Sequence, residues 1–364
     1  MHIRRRSAHS ETIARQAGAK RLDRSDVVAA YEALLGRQPE SESVLDAHLR
    51  HGSFAELLRA IADSPEYAMR MNRSPFFFYN SSFDVAAVIK AHEDPARTPK
   101  AGHVVNYLGV AINRDFLPLL KDVPELEGPP IPANWHADMA EFGAALRAVD
   151  LAHGRFTMIE LGCGWGCWMN ITGVAARRRG LAVRLIGVEG DEGHIGFAHK
   201  ALATNGFAAS DYVLHRGIAA ARPGVALFPR QEHAGNRWGL EPVFGASEAE
   251  ADAAVRGGRY DRLPMISLEA AIGGEPRIDL LHIDIQGGEA DLIRDCRELL
   301  SAKVGYIVVG THSRQIEGRV MEDLLAAGWK LEIERPGVFS IVDGVPVVTV
   351  DGVQGWRNLR NMSG

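Results

Sequence analysis

The stretch "MIELGCGWGCW" (residues 158–168) decides the fold, because it joins an apolar strand to a loop that contains three glycines. The residues before the loop are nearly all apolar, as expected of a strand buried in a parallel sheet. Gly162, Gly164 and Gly166 occupy every second position, so they leave bare peptide for close contact with a ligand. Their spacing differs from the Gly-x-Gly-x-x-Gly of dinucleotide-binding domains. The stretch therefore predicts a ligand-binding turn between a strand and a helix, and it argues against an NAD(P)-linked oxidoreductase.

The composition is that of a globular protein, with 46% hydrophobic and 24% charged residues in a chain of 364. This length favours one large domain and one small domain. The net charge of -5 argues against general binding of nucleic acid. Apolar runs stay well short of the roughly 18 residues that cross a membrane, although the basic N-terminus leaves peripheral membrane contact open.

The cysteines indicate a reduced protein. Cys163, Cys167 and Cys296 are three in number and cannot form an even disulfide framework. Cys163 and Cys167 also lack a second Cys/His pair at the spacing of a zinc site. The N-terminus lacks the apolar core of a secretory signal. We therefore expect a cytoplasmic protein with no structural metal.

Changes in pattern along the chain predict five segments. Residues 1–22 form a basic flexible tail, and residues 23–73 form a small all-α domain with apolar residues at helical spacing. Residues 74–134 are a linker or cover segment that ends in a proline-rich stretch. Residues 135–352 form the main domain, and residues 353–364 form a second tail.

The main domain alternates between apolar strands and amphipathic helices. This alternation predicts the α/β class, with a doubly wound, mostly parallel sheet that helices cover on both faces. Asp343 and Gly344 mark a terminal hairpin, which we expect to add an antiparallel strand at the edge of the sheet. In such folds ligands bind beyond the carboxyl ends of the strands, where the strand order reverses. The glycine loop after the first strand is therefore the expected binding site.

Further residues complete a predicted nucleoside site around this loop. Glu160 ends the first strand and is expected to orient the loop, while Glu189 ends the second strand. A carboxylate at the second position accepts hydrogen bonds from both hydroxyls of a ribose, each contributing roughly 1.5–3 kcal/mol. Trp165 either packs against the ligand or closes the core. Gly217 and Ile218, in the third strand, are also assigned to the site.

The motif Glu160-x-Gly162-x-Gly164-x-Gly166 resembles the E/D-x-G-x-G-x-G of class I S-adenosylmethionine-dependent methyltransferases. Downstream, "IDLLHIDIQGGE" (residues 278–289) resembles the FkbM family, in a bacterial subgroup; the matching residues are 278–281, Ile283, Asp284, Gly287 and Glu289. His282 departs from the lysine that is usual there. The resemblance implies a Rossmann-like methyltransferase fold, with S-adenosyl-L-methionine as donor and S-adenosyl-L-homocysteine as product. It also implies O-methylation of a glycan, a glycolipid or a related natural product.

The helical segment carries a second resemblance, to a small bacterial domain of unknown function that begins "YxxLLGRxP" and ends "SPEY" or "SPEF". The matching residues are Tyr31, Leu34, Leu35, Gly36, Arg37, Pro39 and residues 64–67. Such domains are often appended to proteins that handle glycans or cell-surface material. The resemblance implies docking rather than chemistry, and the alternative is a helical bundle that covers the main domain.

Methyl transfer to a hydroxyl is an in-line displacement, in which a general base raises the rate by roughly 10²–10⁴-fold. His312, at the end of the fifth strand, is the leading candidate base, and His136 is the second. Asp284 ends the fourth strand and is expected next to the donor or the acceptor. A histidine near a strand end is also often structural, and we expect His282 to be packed inside the fourth strand.

Some sugar O-methyltransferases bind magnesium through one acid after strand four and an acidic pair after strand five. Here Asp284 supplies the first acid, but the fifth strand ends in Gly310, Thr311 and His312. An all-oxygen magnesium site is therefore incomplete, and we predict that no metal is required.

Residues 229–264, between the third and fourth strands, are too long for a bare connection. They carry His233, Arg237, Trp238 and Phe244, which suit either a lid over a sugar or a solvated insertion. The expected partner is a carbohydrate or small-molecule acceptor. Homo-oligomerisation stays open, as does a non-catalytic binding protein with a degenerate methyltransferase domain.

Overall fold

The computed structural model describes residues 22–64, 66–67 and 74–362. The chain divides into two compact units, one that ends at Phe77 and one that begins at Phe78. Of the basic tail predicted for residues 1–22, residues 1–21 lie outside the described residues. Leu22, the last residue of that segment, is buried in the core of the first unit, so the helical unit begins slightly earlier than predicted.

The first unit is helical, as predicted. Its helices are α1 (Arg24–Leu35), α2 (Glu42–His48) and α3 (Phe54–Ala62). Each helix begins at a side chain that accepts a backbone N–H of the first turn; these capping residues are Asp23, Ser41 and Ser53. Apolar residues at helical spacing, among them Val27, Leu57 and Ile61, form its own small core.

The strands of the described residues all lie in the second unit. In chain order they are β1 (Asn80–Ser81), β2 (His103–Val105), β3 (Ala111–Asn113), β4 (Arg155–Leu161), β5 (Ala182–Glu189), β6 (Tyr212–Arg216), β7 (Ile218–Ala220), β8 (Gly224–Pro229), β9 (Tyr260–Ser267), β10 (Ile278–Ile283), β11 (Val304–Thr311), β12 (Lys330–Arg335), β13 (Val338–Val342), β14 (Val345–Val350) and β15 (Gly352–Arg357). The helices of this unit are α4 (Val85–Ala91), α5 (Met139–Leu151), α6 (Cys167–Arg178), α7 (Glu192–Thr204), α8 (Glu248–Arg256), α9 (Leu268–Ile272), α10 (Glu289–Asp295), α11 (Arg297–Lys303) and α12 (Arg314–Ala326).

The central sheet has the strand order β1-β12-β15-β11-β10-β4-β5-β6. Strands β11, β10, β4, β5 and β6 are parallel neighbours. The chain winds from β4 outward to β6 on one side and from β10 to β11 on the other, which is the doubly wound arrangement. The predicted α/β class and mostly parallel sheet are confirmed, and the strand order reverses between β4 and β10.

Helices cover both faces of this sheet. Along β4, Phe156 and Met158 join a core shared with α5, α6 and α7, whereas Ile159 and Leu161 join a core shared with α9 to α12. Residues of the predicted linker or cover segment are also part of the first core, and Tyr107 and Phe116 are fully buried there or nearly so. Residues 78–134 therefore belong to the same compact unit as the sheet.

The predicted third strand is split at Gly217. β6 pairs with β5 in the central sheet, whereas β7 pairs with β9 in a separate sheet of order β7-β9-β8. A Cβ on Gly217 would lie 2.7 Å from the carbonyl oxygen of Pro264, so the chain can change sheets there only without a side chain.

The prediction of a tail from residue 353 is wrong. β15 is buried along its whole length and lies between β11 and β12, antiparallel to both. The hairpin predicted at Asp343 and Gly344 does form, but β13 and β14 make a separate two-stranded sheet and add no edge strand. The fully buried Trp356 accounts for the difference, because its side chain fills the core beneath β11.

We predict that Trp356→Ala lowers the free energy of unfolding by about 3–5 kcal/mol, the usual cost of removing a buried aromatic ring. Ile341→Ala is the control, because Ile341 lies in the hairpin with 80% of its surface exposed, and it should change stability by less than about 0.5 kcal/mol. Urea denaturation measures both. Equal effects of the two substitutions would contradict the placement of β15 in the core.

Candidate functional site

The glycine loop after β4 lies against the end of β10. A Cβ on Gly162 would lie 2.0 Å from the carbonyl oxygen of Asp284, which is closer than non-bonded atoms approach. The φ of Gly162 is 77°, in the left-handed region that glycine adopts without strain. Contact between the two strand ends therefore requires glycine at this position, whether or not a ligand is bound.

Gly164 and Gly166 have different neighbours. Gly164 donates its N–H to a carboxylate oxygen of Glu189 at 2.8 Å, and a Cβ on it would lie 3.0 Å from Cζ3 of Trp238. Gly166 caps α6 with a φ of 75° and has no side chain to complete the cap. The three glycines thus serve three separate contacts.

Glu160 caps α6 in place of a side chain at Gly166. Its carboxylate accepts the N–H groups of Trp168 at 3.1 Å and Met169 at 2.9 Å, both in the first turn of α6. The side chain is almost fully buried, and this burial raises the pKa of Glu160 to about 7. Glu160 therefore caps α6 at the point where the glycine loop enters this helix.

Glu189 ties the ends of β4 and β5 together. Besides the N–H of Gly164, its carboxylate accepts the N–H of Asp191 at 2.8 Å. Burial raises the pKa of Glu189 to about 7. The backbone of Gly217 also bonds to the carbonyl oxygen of Glu189, at 2.9 Å, and Ile218 lies beside it, mostly buried. Gly217 and Ile218 thus adjoin the end of β5, where the sequence places them.

Two predicted residues lie in the aromatic core. Trp165 is 4% exposed and packs near Phe116 and Trp135, which favours the alternative that it closes the core. His136 packs beside the same ring, and its Nε2 is enclosed without a hydrogen-bond partner. Burial lowers the pKa of His136 to about 3. Because the ring lies among aromatic side chains and its Nε2 is enclosed, His136 fits a packing role better.

Asp284 and His312 meet beyond the ends of β10 and β11. His312 Nε2 lies 3.2 Å from Asp284 Oδ1, and His312 Nδ1 lies 3.0 Å from Glu289 Oε1. Glu289 is fully buried and accepts the N–H groups of Ile285 and Gly287. His312 is therefore held between an exposed carboxylate and a buried one.

The contacts of His312 with Asp284 and Glu289 determine whether His312 or Asp284 can accept a proton. Burial opposes protonation of His312, but the hydrogen bonds and charges of Asp284 and Glu289 outweigh it and raise its pKa to about 10. A protonated imidazole has two N–H donors and no free lone pair. A protonated His312 does not suit the role of general base, so that assignment stays a prediction. Asp284 has 43% of its side-chain surface exposed and is the better-placed proton acceptor.

The same cluster could hold a metal. One ligand atom from each of Asp284, Glu289 and His312 lies within 4.8 Å of the others, a donor set that suits divalent transition metals. A metal would need the His312 lone pair, which a proton occupies at neutral pH, so proton and metal compete for the ring. Reasoning from the sequence does not predict this set, because it considers acidic residues after β11, whereas Glu289 follows β10.

The insertion before β9 reaches the glycine loop through Trp238. The indole stacks on His194, with ring centroids 4.0 Å apart and planes at 8°, and it covers Gly164. His233 and Arg237 are exposed, and Phe244 is 53% exposed. Of the four residues expected in a lid, Trp238 is therefore the one that contacts the candidate site.

Comparison with known proteins gives the family. No family model matches the chain. A protein of Jannaschia sp. (strain CCS1) with the name "Putative methyltransferase" is 44% identical over 272 residues, which cover 74% of this chain and 97% of that protein. The chain belongs to this methyltransferase family. Among solved structures, the chain is similar to methyltransferase FkbM from Methylobacillus flagellatus KT, at 12% identity and a TM-score of 0.37. The match covers 90% of this chain and 58% of the FkbM chain.

A second solved structure similar to the methyltransferase is precorrin-6y C5,15-methyltransferase from Geobacter metallireducens GS-15. It shares 10% identity at a TM-score of 0.33 and covers 58% of this chain and 86% of that one. Within the described residues, no helix of the methyltransferase is long and apolar enough to cross a membrane.

The fold brings most of the predicted site residues of the methyltransferase to one edge of the sheet. Neighbouring strands carry these residues at their carboxyl ends or just beyond: Glu160, the glycine loop, Glu189 and Asp284. Glu289 is the residue that reasoning from single positions missed, although it belongs to the FkbM-like motif. In the structure, Glu289 accepts the backbone N–H of Ile285, four residues earlier in the same motif. Its place in the motif is the signal in the sequence that could have identified it.

Proposed function

We propose that this methyltransferase uses S-adenosyl-L-methionine to methylate a hydroxyl group of a glycan, a glycolipid or a related small molecule, as the FkbM-like motif implies. The observation that carries the proposal is the contact between the glycine loop and the end of β10, where Gly162 touches the backbone of Asp284. A donor on the loop and an acceptor at Asp284 are then neighbours. Such proximity supplies up to roughly 7–11 kcal/mol of the barrier in well-aligned displacements.

The residues present suit a cationic nucleoside. Glu160 and Glu189 are buried carboxylates whose hydrogen bonds come from backbone N–H groups. Burial raises the pKa of each to about 7, so their negative charge is poorly compensated. A positively charged ligand stabilises that charge. Glu160, Gly162, Gly164, Glu189, Gly217 and Ile218 remain our candidates for holding the donor.

The bound donor supplies a methyl group activated by a sulfonium. Asp284 accepts the proton of the acceptor hydroxyl as the oxygen takes the methyl group. His312, as an imidazolium, hydrogen-bonds Asp284 and fixes the orientation of its carboxylate. The charge of His312 also lowers the pKa of this carboxyl, against the desolvation that would raise it. Glu289 holds His312 from the buried side. We keep the proposal that no metal is required, because this proton arrangement needs none.

The direct test incubates the protein with methyl-labelled S-adenosyl-L-methionine and a panel of glycans, glycolipids and small hydroxylated acceptors. We expect a labelled methyl ether, detected by mass spectrometry, and equal rates before and after dialysis against EDTA. A rate that EDTA abolishes and a divalent cation restores would contradict the metal-free mechanism. Donor binding without transfer to any acceptor would instead support a non-catalytic binding protein.

Glu189→Ala should weaken binding of S-adenosyl-L-homocysteine by roughly 1.5–3 kcal/mol, because one charge-assisted hydrogen bond is lost. Isothermal titration calorimetry measures the change. Glu192→Ala is the matched control, since Glu192 lies three residues further on with its side chain 79% exposed. Equal affinities for both variants would remove Glu189 from the donor site.

Asp284→Asn should lower kcat/KM by roughly 10²–10⁴-fold, the contribution of a general base. His312 has a pKa of about 10 in this state, so activity should hold from neutral pH and fall as the imidazolium is lost near that value. In His312→Gln this alkaline fall should disappear. Asp351→Asn is the control, because Asp351 lies 4.0 Å from His312 with its side chain 57% exposed. A rate that climbs steadily toward pH 10 would return the role of base to His312.

A further inference from the structure

Residues 230–240 lie across the edge of the sheet where we place the donor. The side chain of Gln231 donates to Asp191 Oδ2 at 2.9 Å, just after β5. Trp238 covers Gly164 in the glycine loop, and a Cβ on Gly239 would lie 3.2 Å from Gln286, just after β10. The segment therefore touches the turns that follow β4, β5 and β10.

The contact between Trp238 and Gly164 leaves no room for a ligand between them. A Cβ on Gly164 would lie 3.0 Å from Cζ3 of the indole. A nucleoside layered between the ring and the loop would need two carbon contacts of about 3.5–4.0 Å each, or about 7 Å in all. The indole therefore occupies the surface of Gly164 that the donor would use.

His194, near the start of α7, anchors the segment in this position. The Trp238 indole stacks on the His194 ring at 4.0 Å, and Nε2 of His194 lies 3.2 Å from Nε2 of Gln231 and 3.4 Å from the N of Gly235. Both neighbours are N–H donors, so the ring must offer a lone pair. Burial lowers the pKa of His194, which keeps that lone pair available.

Other contacts hold the two ends of the segment. At one end Arg230 pairs with Asp261 at 2.5 Å, and at the other Leu240 packs in a small core with Phe228 and Leu263. Among residues 230–240, Gly235 and Leu240 are buried, and most of the others are exposed. Trp238 also donates its Nε1–H to the carbonyl oxygen of Gly235 at 2.9 Å, so the indole is fixed to its own segment. The part of the segment between these ends can therefore move away from the glycine loop, together with the indole, when its contacts with His194 and Asp191 break.

We propose that residues 230–240 form a gate on the donor site, with Trp238 as the group that fills the site and His194 as the anchor that holds it shut. This inference rests on the proposed function, since it takes the donor to bind at Gly164. The donor displaces the indole when it binds. The apparent affinity for the donor equals the affinity of the open site multiplied by the fraction of molecules in which the gate is open. From the sequence, residues 229–264 suit a lid over the acceptor sugar, whereas in this proposal part of that insertion controls binding of the donor.

Trp238→Ala tests the gate. Calorimetry should show S-adenosyl-L-homocysteine binding about tenfold more tightly than to the wild type, the factor for a site that is open about a tenth of the time. His194→Phe keeps an aromatic ring but loses the acceptor nitrogen, and it should shift affinity in the same direction. Phe244→Ala is the matched control, because this aromatic residue of the same insertion is 53% exposed, and it should bind as the wild type does.

Hydrogen exchange provides a second measurement. Adding S-adenosyl-L-homocysteine to the wild type should speed amide exchange in residues 230–240, because the bond from Gly235 to His194 breaks. Slower exchange together with weaker binding by Trp238→Ala would show that the indole is a roof on the donor, which overturns the gate and leaves the proposed function intact. Unchanged affinity in Trp238→Ala also overturns the gate. If neither the wild type nor Trp238→Ala binds, the proposed function itself fails.

Discussion

The close approach of two strand ends is the constraint on which the site depends. The sheet reverses its strand order between β4 and β10, so the turns that follow these strands must pass each other. They do so at Gly162 and the carbonyl of Asp284, where a Cβ would lie 2.0 Å away. This contact places the glycine loop, where we propose that the donor binds, beside Asp284, which we propose as the proton acceptor.

Four carboxylates dominate the electrostatics around this contact, and three of them are buried. Glu160 and Glu189 are satisfied by backbone N–H groups and have raised pKa values, whereas Asp284 and Glu289 share the charge of His312. We propose that Glu160 and Glu189 face the positive charge of the bound donor. Asp284 and Glu289 already face a positive charge, that of the His312 imidazolium. In the mechanism that we propose, the donor therefore binds beside Glu160 and Glu189 and leaves in place the imidazolium that contacts Asp284.

Much of the fold follows from local patterns in the sequence. Apolar strands, helices between them and a glycine loop predict a doubly wound sheet, and the ends of β4, β5 and β10 could be located closely enough to name Glu160, Glu189 and Asp284. β15 could not, because "GVQGWR" has weak alternation and stands among polar residues. Its burial comes from neighbours on β11 and β12, which no local pattern reveals.

The properties of His312 and Trp238 also depend on distant contacts. From the sequence alone, His312 at a strand end is a candidate general base. In the structure, the buried Glu289 faces His312 from the turn after β10 and favours its protonated form. An insertion with aromatic residues predicts a lid, but the sequence does not say which loop the lid will touch. Three-dimensional proximity sets the pKa of the first residue and the role we propose for the second.

The most direct test is a crystal structure of the protein grown with saturating S-adenosyl-L-homocysteine. We expect the nucleoside to lie against the glycine loop, with its ribose at Glu189, its sulfur on the side of Asp284 and Trp238 moved away from Gly164. A donor bound elsewhere, or a crevice still filled by the indole at saturation, would contradict the account.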